Sequence, residues 1–188
     1  MKKNIYNPPG GVLIWVIIFV EIITFSAGII AYLVMRKENI DLFNESQLTL
    51  NKGLATINTI ALLTGGYFMA MGIQALKKGN NKISANWILG AIVSGIVFLF
   101  IKGSEYSVKL EHGYDLRENL FYTFYWLLTG FHFIHVLVGV IILLALYFKV
   151  KGEHYTKDEH FDVETGGAFW HMCDLIWLML FPVLYLLH

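Results

Sequence analysis

Apolar residues run through this chain in five long blocks, residues 11–35, 54–76, 83–106, 119–148 and 166–187, and the polar positions collect between them. Each block exceeds the roughly 20 residues that a helix needs to cross the hydrocarbon of a bilayer. The pattern predicts an all-α polytopic membrane helical bundle of about five transmembrane helices, formed as a single membrane domain over residues 1–188. The connections, residues 36–53, 77–82, 107–118 and 149–165, are short and rich in Gly, Asn, Lys and Asp, and none is long enough to fold by itself. Met1-Lys2-Lys3 has the charge of a signal peptide's start. The apolar run after Pro9 is nevertheless too long for a cleaved signal's core and contains Glu21. It is expected to remain as the first membrane helix.

Helices in lipid associate by close backbone approach, because lipid offers no hydrophobic contrast. Gly65, Gly66, Gly72, Gly90, Ser94, Gly95, Gly130 and Gly139 supply the small surfaces for it. Pro182 removes a backbone donor near the end of the fifth helix and predicts a mild kink. The basic residues orient the bundle. An N-inside arrangement puts Lys2, Lys3, Lys77, Lys78, Lys82, Lys149, Lys151 and Lys157 in the cytoplasm, with Arg36, Lys37, Lys52, Lys102, Lys109 and Arg117 at or outside the other face. The N-terminus is then cytoplasmic and His188 lies outside.

Composition agrees: 56% of the 188 residues are hydrophobic and only 15% charged, too apolar for the surface of a soluble domain this size. Fourteen basic residues balance fourteen acidic ones, so nothing points to nucleic acid as a partner. A single cysteine, Cys173, excludes a disulfide framework or a thiolate zinc site built from this chain alone.

Ionisable residues within the spans are the chemically informative ones, since each costs a few kcal/mol at mid-membrane unless it finds a partner or a wet cavity. Glu21 falls near the bilayer centre and is expected to be neutral or paired. His132 and His135, three apart, project from one side of the fourth helix, and His171 and Asp174 repeat that spacing in the fifth. With Glu105 and Glu164 they are the candidates for a buried polar seam through the bundle. Two histidines and a carboxylate suit zinc, copper or iron. An intramembrane Glu and His set suits a proton relay, or an independent proton or metal transporter. A hydrogen-bonded helix contact needs neither and is the commoner use of such residues, so no metal is assigned. His132 and His135 share a face and cannot be opposite ligands of one haem. No dinucleotide loop, P-loop or nucleophile elbow occurs, and no catalytic residue is assigned.

Five blocks, in order, resemble cytochrome oxidase subunit III. They are Phe19-Val20-Glu21-Ile22-Ile23-Thr24-Phe25-Ser26-Ala27-Gly28; Ile57-Asn58-Thr59-Ile60-Ala61-Leu62-Leu63-Thr64; Gly103-Ser104-Glu105-Tyr106; Thr129-Gly130-Phe131-His132-Phe133-Ile134-His135-Val136-Leu137-Val138-Gly139; and Phe169-Trp170-His171-Met172-Cys173-Asp174-Leu175-Ile176-Trp177. Glu164, seven residues before His171, also agrees. The resemblance implies an accessory subunit of a bacterial haem-copper terminal oxidase in the bacterial inner (cytoplasmic) membrane. Such a subunit binds no haem or metal itself, packs against catalytic subunit I and subunit II, holds phospholipid and supports proton uptake. Haem and copper would sit in the partner. The chain departs from the family's full pattern, which has two further N-terminal helices, and Ala168 replaces a usual aromatic. Its ending, Phe181-Pro182-Val183-Leu184-Tyr185, is similar to a five-helix branch found beside nitric oxide reductases, which keeps that alternative open.

Overall fold

The computed structural model describes residues 8–156 and 159–187. Among these residues five helices are long and apolar enough to span a membrane. They are α1 (Gly11–Glu38), α3 (Lys52–Lys77), α4 (Asn81–Glu111), α5 (Leu120–Lys151) and α6 (Phe161–Phe181), and a short helix, α2 (Ile40–Leu48), follows α1. Helix α2 falls in the stretch expected to be a simple connection. It forms because Phe43, Ser46 and Gln47, at helical spacing, turn toward the bundle end while Asp41 and Glu45 face outward.

Short polar signals place the helix ends. Asn51 and Asn119 cap α3 and α5, their side chains accepting from the backbone N–H of Leu54 and Tyr122, each at 3.0 Å. Helix α3 stops where Gly79 adopts a left-handed φ of 80°, which lets Gly79 N–H reach Leu76 O at 2.8 Å and Asn80 N–H reach Ala75 O at 3.0 Å. Gly113 ends α4 by the same device, with Tyr114 N–H on Lys109 O at 3.0 Å. At Pro182 the helix widens rather than merely bending. Residues Pro182–Leu186 form a π-helical turn, and Leu187 N–H reaches five residues back to Pro182 O at 3.0 Å.

Helices α3, α4, α5 and α6 close into a ring, α3 packing on α4, α4 on α5, α5 on α6 and α6 back on α3, while α1 lies in the outer groove between α5 and α6. Trp170 of α6 fills the centre of that ring. A Cβ on Gly95 would stand 2.5 Å from Trp170 Cη2, one on Gly139 would stand 3.0 Å from Cε3, and one on Gly65 3.3 Å from Cζ2. Glycines from three helices thus form the walls around one indole. Gly66, Gly72, Gly90 and Ser94 are also helix contacts, whereas Gly130, expected to be one, has nothing within 4 Å of its would-be Cβ.

Candidate functional site

The most densely bonded polar group in the core is built around Lys102, which the sequence places at or outside a membrane face and the fold turns inward to 1% exposure. One turn on, Glu105 presents Oε2 to Lys102 Nζ at 3.1 Å. The other two ammonium protons go to the hydroxyls of Tyr125 (3.1 Å) and Tyr185. Each hydroxyl in turn donates to Glu105 Oε1, at 2.8 and 2.9 Å. The circuit is closed: three N–H donors, two hydroxyls and one carboxylate, with every group partnered. The rings of Tyr106, Tyr125, Trp177 and Tyr185 surround the ammonium at 4.8 to 5.5 Å from centroid to Nζ. Their negative faces add to the stabilisation of the charge. Such a group joins α4, α5 and the terminal π turn without exposing charge to lipid. Seven residues further along α4, Lys109 donates to Thr49 O at 2.7 Å and so ties the end of α2 to the same face.

The other seam candidates are distributed among separate contacts. His132 is fully buried, stacked on Trp177 at 5.2 Å and edge-on to Phe98 at 5.6 Å. Neither of its ring nitrogens has a hydrogen-bond partner among the described residues. Trp177 stands between His132 and the Lys102 cage and donates from Nε1 to Thr59 Oγ1 at 2.9 Å. His135, three residues on, points instead toward α1 and meets Glu21 at 3.3 Å. His171 and Asp174 pair at 3.3 Å against α3, where Gly66 leaves room for the carboxylate. Glu164 sits at the far end of α6 with Lys77 at 2.6 Å and His160 at 3.4 Å. Among the described residues no three His, Cys, Asp or Glu side chains stand close enough together to hold a metal ion.

The geometry at Glu21 has a chemical consequence. His135 Nδ1 lies 2.8 Å from Phe131 O, and a carbonyl only accepts, so Nδ1 carries a proton. In the neutral ring Nε2 is then an acceptor, and a hydrogen bond to Glu21 Oε1, 3.3 Å away, forms when one further proton lies between the two. Carbodiimides attack protonated carboxyls in apolar surroundings, so a hydrophobic carbodiimide is expected to modify Glu21 faster than the exposed Glu111. Peptide mass spectrometry over a time course would show this, and equal rates at the two positions would remove the shared-proton assignment.

Outside the membrane-spanning segments, Tyr155 closes the α5–α6 connection, donating to Asp162 Oδ2 at 2.9 Å while its carbonyl accepts from Asn81 Nδ2 at 3.0 Å. Burial, with the Asp162 carboxylate adding to it, pushes the Tyr155 phenol up to about 12.

Five spanning helices closed around glycine-walled aromatics, with a lysine and a glutamate paired inside, define a multi-pass integral membrane protein. Residues 41–188 match the Cytochrome c oxidase subunit III family, and the chain belongs to it. It is similar to cytochrome c oxidase subunit 3 of Thermostichus vulcanus, 33% identical over 133 residues that cover 70% of this chain and 65% of that protein. The same protein of Synechocystis sp. is 34% identical over 135 residues, covering 71% and 57%. That of Anopheles gambiae is 30% identical over 143 residues, covering 76% and 51%. The chain spans between about half and two thirds of these relatives' length. Lys102, Glu105, His132, His135, Glu164, His171 and Asp174 all lie within the matched residues, and Glu21 precedes them.

Proposed function

We propose that this chain serves as the accessory subunit III of a bacterial haem-copper terminal oxidase, the enzyme that reduces oxygen to water in aerobic electron transport. The observation that carries the reading is the family match over four of the five spanning helices. In this role the chain packs against catalytic subunit I and subunit II, which carry the haems and copper, holds phospholipid, and lies in the cytoplasmic membrane with its N-terminus inside. The Glu21–His135 pair supports a part in proton supply, since a pair that shares one proton can pass it on without placing a bare charge in lipid. The Lys102–Glu105 circuit, with all its donors and acceptors engaged, fits a structural role instead.

The test is to purify the tagged chain from its native membrane in mild detergent, record the visible spectrum and identify what accompanies it. A haem-copper subunit with oxygen-reducing activity is the expected result. Recovery with a nitric oxide reductase would replace the oxidase assignment, and stoichiometric metal on the chain alone would replace both with an independent transporter.

A further inference from the structure

Between α1 and α3, over the outer side of α6, runs a groove of about 430 Å³. Pro9, Trp15, Lys77 and Glu164 form its rim; Ile18, Ile22, Ile73, Met172 and Leu175 its walls; Gly167 and Ala168 its floor. Ala168 contributes only a methyl to that floor. The groove also holds His171, whose side chain is 46% exposed.

Three observations select the occupant. The first is depth: His171 lies seven residues along α6 from Glu164, about 10 Å below the rim at about 1.5 Å per residue, and within the apolar span Phe161–Leu186. Water is scarce at the depth of a membrane span, and a polar atom left unmet there is costly. The second is hydrogen-bond polarity. His171 Nδ1 lies 3.3 Å from Asp174 Oδ2; with Asp174 as the carboxylate, Nδ1 donates and Nε2 of the neutral ring is an acceptor, which among the described residues makes no hydrogen bond. It needs a donor. Phospholipid esters carry only acceptors. The third is charge: among the described residues Lys77 is the one lysine or arginine lining the groove, and it is already held by Glu164 at 2.6 Å. A neutral hydroxyl-bearing ring on a long apolar tail meets all three requirements.

We propose that this groove is a binding site for an isoprenoid hydroquinone. The ring lies over Gly167 and Ala168, one hydroxyl donates to His171 Nε2, and the tail follows Leu175 toward the bilayer centre. Asp174 positions the imidazole. The inference concerns binding by this chain alone and does not depend on which enzyme the chain serves.

The test uses the full chain in lipid nanodiscs under argon with radiolabelled decylubiquinol. One saturable site per chain is expected. His171→Ala should weaken it at least tenfold, and so should Ala168→Trp, which fills the floor while leaving His171 intact. Decylubiquinone, which has no hydroxyl, should bind at least tenfold more weakly than the quinol. Circular dichroism and gel filtration establish that both variants are folded; if one is not, the other variant and the quinol-to-quinone ratio carry the test. Absence of saturable binding, binding indifferent to both folded variants, or displacement by phosphatidylglycerol at equal concentration would overturn the proposal, the last by making the groove an acyl-chain site.

Discussion

Replacing Lys102 with methionine is expected to destabilise the bundle by about 3–5 kcal/mol, the usual cost of removing one partner from a buried ion pair. The size follows from what is left behind. Glu105 keeps its two tyrosine donors, but its negative charge stays in the core with no cation, and neither Tyr125 nor Tyr185 can supply one. The loss should therefore be repaired from the other side: Lys102→Met combined with Glu105→Gln should recover most of the stability, since both charges are then gone and the amide oxygen still accepts from the tyrosines. Unfolding of the full chain by sodium dodecyl sulfate in mixed micelles, followed by helical circular dichroism and tryptophan emission, measures both. Trp177, whose ring lies 5.5 Å from the ammonium, gives a local signal. A single variant within about 0.5 kcal/mol of the parent would mean that water or lipid headgroups reach this site, contrary to its burial.

The second large effect is expected at a glycine. A methyl on Gly95 would stand 2.5 Å from Trp170 Cη2 and 2.7 Å from Val140 Cγ2, so Gly95→Ala should cost about 1–3 kcal/mol, the range for overpacking a filled interior. Trp170 has nowhere to retreat, because Gly139 and Gly65 press on its other edges. Gly130→Ala is the control. Nothing lies within 4 Å of the added methyl, and alanine is the better helix former by up to about 1 kcal/mol, so this change should be neutral or stabilising. The same micelle titration separates them, and equal effects would show that backbone freedom rather than contact with Trp170 governs both positions.

These two cases also mark where sequence reading reaches and where it stops. Length and hydropathy suffice for the five spans, because the bilayer imposes one length on every crossing helix. Helix α2 escapes that criterion, since nine residues are far below it and only Phe43, Ser46 and Gln47 need burial. Lys102 escapes for a different reason. Counting basic residues to orient a bundle treats a lysine near a helix end as interfacial. The signal against that treatment was Glu105 one turn away within the same apolar run. Its other two partners, Tyr125 and Tyr185, come from α5 and the π turn, and no local pattern announces them.

The seam residues teach the same lesson at finer grain. Spacing by three puts His132 and His135 about 60° apart around α5, close enough to count as one face, yet that rotation is the difference between facing Trp177 and facing Glu21. Similarly, Gly95 and Gly130 are indistinguishable as residues. Only the neighbouring helix makes one a wall of the Trp170 site and leaves the other open.

The order in which the chain leaves the ribosome gives the Trp170 arrangement a further meaning. Helices α3, α4 and α5 carry the three glycine walls and are made before α6, but the indole they enclose belongs to α6, as does Trp177, and Tyr185 follows in the turn beyond it. Until those residues are translated, the nascent bundle has a vacant centre, and Lys102 and Glu105 lack one of their two phenols. Membrane insertion and tertiary closure are thus separate events, and the unfinished intermediate exposes an ion pair and small-residue surfaces that chaperones and membrane proteases can recognise.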